Sequence, residues 1–233
     1  MKAWLSAFAA AVAFAAAPAA AQDGTSAYVS AGSATASRER GTYLTFADQD
    51  LYQSWVYALV VSAGARPNSR VGFEAEVQFQ TGQSFAWKYN YLFAQNSEQR
   101  TTDRDIPVIG YARFFAYRGR RLAIEPVAGA GFNWHRAVSL VTSDCGPGSL
   151  PKPCEPLTPP RHGESFATQE WLYAAGVDVP IRVSPHLSIA VTARALHIKR
   201  RQYLTGHAHR GPQVGSGNVP SVGVAMRWSA RAW

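Results

Sequence analysis

Residues 70–80 read RVGFEAEVQFQ, and their order decides what kind of element this chain is built from. Val71, Phe73, Ala75, Val77 and Phe79 fall on one side of an extended chain, and Gly72, Glu74, Glu76, Gln78 and Gln80 on the other. Successive side chains of a strand point to opposite faces, so this period of two means a strand with one apolar and one wet face. Upstream, Trp55, Tyr57, Leu59, Val61 and Ala63 repeat the pattern. Arg66, Pro67, Asn68, Ser69 and Arg70 join the two runs, a composition that reads as a tight hairpin.

The device recurs twice. Residues 106–117 are joined to 122–134 by Arg118, Gly119, Arg120 and Arg121, and residues 166–183 to 187–198 by Ser184, Pro185 and His186. A first strand over 27–36 and a last over 219–228 bring the number to eight. The other connections, over 35–54, 81–105, 135–164 and 199–218, are long. Strict alternation of short and long connections is what an antiparallel transmembrane β-barrel produces, with short periplasmic turns and long outer loops. A soluble eight-stranded barrel would bury its apolar face instead. Full charges in mid-strand favour the inverted, membrane form. So do aromatic residues near strand ends, at Trp55, Tyr57, Phe115, Tyr117, Trp134, Trp171 and Trp228.

The chain opens with Lys2, an Ala-dominated apolar stretch over 5–17, Pro18 and the small residues Ala19, Ala20 and Ala21. That pattern predicts a secretory signal over 1–21, leaving 22–233 as one barrel domain. Beyond it no apolar run reaches about 18 residues, so residence in a membrane must come from strands. The 47% hydrophobic content and mean hydropathy of −0.15 fit alternating faces averaged along the chain. Cys145 and Cys154 lie in a Pro- and Gly-rich segment of a chain read as exported, where disulfides persist, and are expected to form a local bridge. Closing so small a loop stabilises by about 2 to 3 kcal/mol in the chain-entropy picture. Two thiols without a nearby His pair do not make a zinc site.

The run Glu125, Pro126, Val127, Ala128, Gly129, Ala130, Gly131, Phe132 resembles the proline- and glycine-rich fifth strand of the small outer-membrane β-barrel domain family, the OmpA-like and opacity-type surface proteins. The end of the chain, Val222 to Trp228, is similar to the alternating last strand that the barrel assembly machinery reads, which a terminal aromatic normally closes. Here Trp228 keeps the alternation, yet the chain ends at Trp233. Arg227, Ser229 and Arg231 depart from the family pattern at the alternate positions before Trp233. The resemblance implies a fold and a bacterial outer-membrane location, and says little about activity.

With the apolar faces toward lipid, the inward set becomes Glu74, Glu76, Gln78, Arg113, Glu125, Asn133, Glu170, Asp178, Thr192, Arg194 and Arg227. Three arginines thus face five carboxylates. Buried charges are costly unless paired, and the planar guanidinium fork suits carboxylates, so an ion-pair network across the lumen is expected. Eight strands leave an interior just wide enough for side chains to fill. A plugged, structural lumen follows. The alternative is a narrow small-solute pore in which Arg113, Arg194 and Arg227 act as movable gates.

The chain resembles lipid A-modifying barrels in size, and His135, His162, His197, His207 and His209 would lie near the outer rim. Lys199 stands two residues after His197, so the short His-x-Ser pattern of the deacylases is missing, and no catalytic residue is assigned. His207 and His209 alone do not make a metal site, and no cofactor is expected. The net charge of +8 points to anionic partners. Lys199, Arg200 and Arg201 at an outer strand end would meet lipopolysaccharide phosphates, and Arg118, Arg120 and Arg121 would lie near phospholipid headgroups at a periplasmic turn. Nucleic acid is not a partner, since no binding motif is present. Phe85, Trp87, Tyr89, Tyr91 and Phe93 keep a period of two, as in an outer hairpin arm or a surface for an extracellular partner. The sequence therefore reads as a non-enzymatic outer-membrane barrel with a structural or surface-interaction role.

Overall fold

The computed structural model describes residues 26–38, 54–67, 70–89, 97–144, 155–199 and 217–230, and every regular element among them is a strand. These are β1 (Ser26–Arg38), β2 (Ser54–Arg66), β3 (Val71–Gln80), β4 (Gln83–Tyr89), β5 (Ser97–Phe114), the two-residue β6 (Tyr117–Arg118), β7 (Ala123–Asp144), β8 (Glu155–Arg182), β9 (Leu187–Lys199) and β10 (Gly217–Ser229). All pairings are antiparallel. β3 and β4 both pair with β5, with Val77 opposite Val108 and Gln83 opposite Asp103, so they form one stave interrupted at Thr81 and Gly82. β6 is a turn fragment paired with the start of β7. β1 pairs with both β2 and β10, and β5 with β7, so a sheet of eight staves closes into a barrel.

The pleat sorts the residues as the alternation requires. Val29, Leu59, Phe73, Ile124, Val191, Val224 and Met226 stand exposed on the outer wall, while Ser30, Ser62, Glu74, Glu76, Arg113, Asp178 and Arg194 are buried inside. A protein in water would not leave such a belt uncovered, whereas lipid makes it the favourable arrangement. On β7, Ile124 lies near the short turns and Trp134 at the other edge of the belt. Ten residues of strand span roughly 34 Å, or about 26 Å along the axis at a tilt of about 40°, the height of the apolar band of an outer-membrane barrel.

Three strands outrun the sequence reading. β5 begins at Ser97, β7 continues to Asp144 and β8 begins at Glu155, so much of the predicted 81–105 and 135–164 loops is paired sheet. β4 pairs with β5 from Gln83 to Tyr89, the hairpin arm suggested by the aromatic spacing. Phe115 is also corrected. It was expected in an outer girdle, but it has the parity of inward Arg113, and the Arg66 guanidinium lies 4.6 Å over its ring.

Candidate functional site

Each of the eight staves sends at least one side chain into a charged cluster in the half of the barrel nearest the short turns. Tyr28 comes from β1, Arg66 from β2, Glu74 and Glu76 from β3, Arg113 from β5, Glu125 from β7, Asp178 from β8, Arg194 from β9 and Arg227 from β10. Arg113, wholly buried, reaches Glu74 Oε2 at 2.6 Å, Asp178 Oδ2 at 2.6 Å and Glu125 Oε2 at 3.0 Å. Arg194 embraces Asp178, donating from Nη2 to Oδ2 at 3.0 Å and from Nε to Oδ1 at 3.3 Å, and its Nη1 pairs with Glu76. Arg227 Nη1 donates to Glu125 Oε2 at 3.0 Å and Nη2 to Asp178 Oδ2 at 3.3 Å. Arg66 Nη2 donates to Glu125 Oε1 at 2.9 Å.

The cluster therefore balances four arginines against four carboxylates. The sequence reading missed Arg66, because it follows an apolar strand and precedes Pro67 as a turn residue would. Glu170 departs from the reading in the other direction, since it stands in a separate group further from the short turns. Neutrality matters because an uncompensated charge in such a site is expensive, while bidentate pairs offset much of the desolvation.

Two tyrosines complete the packing. Tyr28 donates its hydroxyl to Glu74 Oε2 at 2.6 Å and lies beneath Arg227, 4.8 Å from guanidinium to ring centre. Arg194 lies 4.4 Å from the ring centre of Tyr111. Glycines make room for both rings. A Cβ on Gly64 would collide with the Tyr28 ring, and one on Gly129 would stand 2.7 Å from Tyr111 Cδ1. Gln78 donates to Glu76 Oε1 at 2.8 Å, and Thr192 lines a cavity of about 20 Å³ beside the cluster with Ser30, Ser221, Arg194 and Arg227. That space is enough for roughly one water molecule.

Beyond the charges lies an apolar layer, with Ala36, Ile109, Leu172, Leu196, Ile198 and Val219 all buried. Beyond that, toward the long loops, is a second polar group. Asp105, His135 and Thr168 sit side by side across β5, β7 and β8. His135 Nδ1 lies 2.8 Å from Asp105 Oδ1, and Asn133 Nδ2 donates to Asp105 Oδ1 at 2.9 Å and Glu170 Oε2 at 3.2 Å. An acid, an imidazole and a hydroxyl thus share one rung, a juxtaposition that the sequence reading missed. The Thr168 hydroxyl makes no hydrogen bond, so the imidazole does not activate it as a nucleophile in this arrangement.

Arg118, Arg120 and Arg121 are exposed at the short-turn end, and Lys199 is exposed at the opposite end of β9. His197 is exposed, with Nδ1 2.8 Å from Asn218 Oδ1. His162 lies opposite Leu140 in the outer part of β8. Cys145, Cys154, Arg200, Arg201, His207, His209, Trp233 and the 1–21 segment lie outside the described residues. Among the described residues no group of three or more His, Cys, Asp or Glu could hold a metal ion.

A closed eight-stave barrel with a lipid-type outer wall and a charged interior defines the class of small outer-membrane barrels. The chain belongs to the outer membrane protein beta-barrel domain family, which matches residues 6–227. No curated protein matches it. Among solved structures it is similar to Neisserial surface protein A, with 15% identity and a TM-score of 0.47 over 88% of this chain and 99% of the other. Ail, the attachment invasion locus protein of Yersinia pestis, is 10% identical with a TM-score of 0.45 over 88% and 99%. A major outer membrane protein of Thermus thermophilus is 10% identical with a TM-score of 0.48 over 87% and 99%.

Proposed function

We propose that this is a non-enzymatic protein of the bacterial outer membrane, a rigid sealed barrel that supports the membrane and presents its long-loop side to partners. The observation that carries this reading is the charged cluster drawn from all eight staves, backed by the apolar layer of Ile109, Leu172, Leu196 and Ile198. Moving Arg113, Arg194 or Arg227 would break ion pairs with several carboxylates at once. In this account residues 1–21 direct export and are removed, the assembly machinery inserts the barrel, and Cys145 and Cys154 close a loop by a disulfide. Lipopolysaccharide phosphates meet the Lys199, Arg200 and Arg201 corner.

Proteoliposome swelling in small sugars and amino acids tests it. The expected result is no swelling above empty liposomes, with lipid A of unchanged mass on expression. The second reading, a narrow pore, draws on the cavity beside Arg194 and Arg227, which is where those guanidinium groups could shift. Swelling that falls when Arg113 or Arg194 is replaced would favour it, and an altered lipid A mass would favour a lipid A-modifying enzyme.

A further inference from the structure

The short-turn end of the barrel carries a one-signed surface. Arg70, Arg118, Arg120 and Arg121 are exposed and Arg182 is half-buried, while the carboxylates nearest them, Glu125 and Asp178, are wholly enclosed in the lumen. Among the described residues of this end no exposed carboxylate accompanies them. Backbone hydrogen bonds stitch the arginine-bearing segments side by side. Phe115 N donates to Arg70 O at 3.0 Å, and Arg182 N to Arg121 O at 2.7 Å. The arginines therefore form an arc over neighbouring strand ends, bringing Arg70 and Arg182 to the cluster that the sequence alone confined to one turn.

The height of the arc identifies what it meets. Tyr117 directly precedes Arg118 and Leu122 directly follows Arg121, and both are exposed on the lipid-facing wall with Phe73, Phe114, Ile124, Ile181 and Val183. A guanidinium one residue beyond such a belt stands at the level of phosphates. The turn is held tight, with Gly119 N donating to Leu122 O at 2.8 Å. A Cβ on Gly119 would lie 2.8 Å from the Tyr117 hydroxyl, so the turn packs against that ring, and its three arginines are exposed. The guanidinium fork matches the paired oxygens of a phosphodiester.

We infer that this arc binds anionic phospholipid headgroups, those of phosphatidylglycerol type, in the leaflet on the short-turn side. It is a selective lipid site rather than a merely solvated charge run. Each Arg near an anionic surface adds to the attraction, which acts over a Debye length of about 10 Å at 0.1 M salt.

The test uses the full barrel in phosphatidylcholine vesicles with trace spin-labelled phosphatidylglycerol or phosphatidylcholine, reading the motionally restricted fraction by electron paramagnetic resonance. We expect phosphatidylglycerol to be preferred by about threefold or more. The preference should approach one in the R118Q/R120Q/R121Q variant and at 1 M NaCl, and should persist in R136Q/K199Q at the opposite end. Folding of each variant is checked by gel mobility before and after boiling. R118K/R120K/R121K, which keeps the charge without the fork, should retain part of the preference. No preference in the unaltered barrel would overturn the inference. So would a preference that survives the triple glutamine variant, or one lost only in R136Q/K199Q, which would place the lipid at the other rim. Arginine-dependent co-sedimentation with peptidoglycan, without lipid preference, would assign the arc to the cell wall and overturn it too.

Discussion

Arg194 on β9 and Glu76 on β3 form an ion pair across the full width of the barrel, from staves four apart in a ring of eight and from residues 118 apart in sequence. Such a pair can form only when the ring is closed, so the cluster reports closure as well as filling the lumen. Replacing Arg194 with Leu should destabilise the barrel by about 3 to 5 kcal/mol, because Glu76 keeps its burial and loses its arginine, while Asp178 is left with Arg113 and Arg227. The double variant R194L/E76L should cost less than the two single changes added together. Urea unfolding in bilayers measures both, and strict additivity would contradict a coupled network.

Arg66 and Arg70 lie four residues apart at the same hairpin, yet should behave differently. Arg66 is 5% exposed and bound to Glu125, whereas Arg70 is exposed. R66Q should cost about 2 to 4 kcal/mol and R70Q less than about 0.5 kcal/mol in the same unfolding measurement. Equal effects would place Arg66 outside the lumen.

Val224 stands on the outer wall between Ser33 and Val191. In a soluble protein its exposure would make V224R nearly neutral. Against lipid, the change should destabilise by about 2 to 4 kcal/mol if Val224 is near the midplane. The measurement is the same urea titration, and a neutral outcome would contradict a lipid-facing wall.

A Cβ on Gly64 would collide with the Tyr28 ring. G64A should cost about 1 to 3 kcal/mol, and pairing it with Y28A should recover part of that loss if the clash is the cause.

What was legible in the sequence follows from where one face is apolar and the other wet. Residues 71–80 and 187–199 alternate because lipid lies on one side and charged or small side chains on the other, so their strands and inward residues could be read off. The outer parts of β5, β7 and β8 leave the membrane, both faces become wet, and the period that marks a strand disappears. His135 was expected near the outer rim, but its pairing with Asp105 was missed for that reason. Counting by twos upstream from Arg113 reaches Ile109 and Asp105, and counting on from Asn133 reaches His135, so parity was the available signal. Arg66 shows the opposite failure, a turn-like composition assigned to a residue that β2 still carries inward. Glu170 kept its expected parity but belongs to another layer, because parity fixes the face and not the height along the axis.

The most direct test of the closed membrane barrel is gel mobility of the outer-membrane fraction with and without boiling. A closed barrel tied across its lumen by Arg113, Arg194 and Arg227 should sediment with the membrane, resist detergent, and migrate differently unboiled from boiled. Recovery in the soluble periplasmic fraction, with one mobility under both conditions, would contradict it.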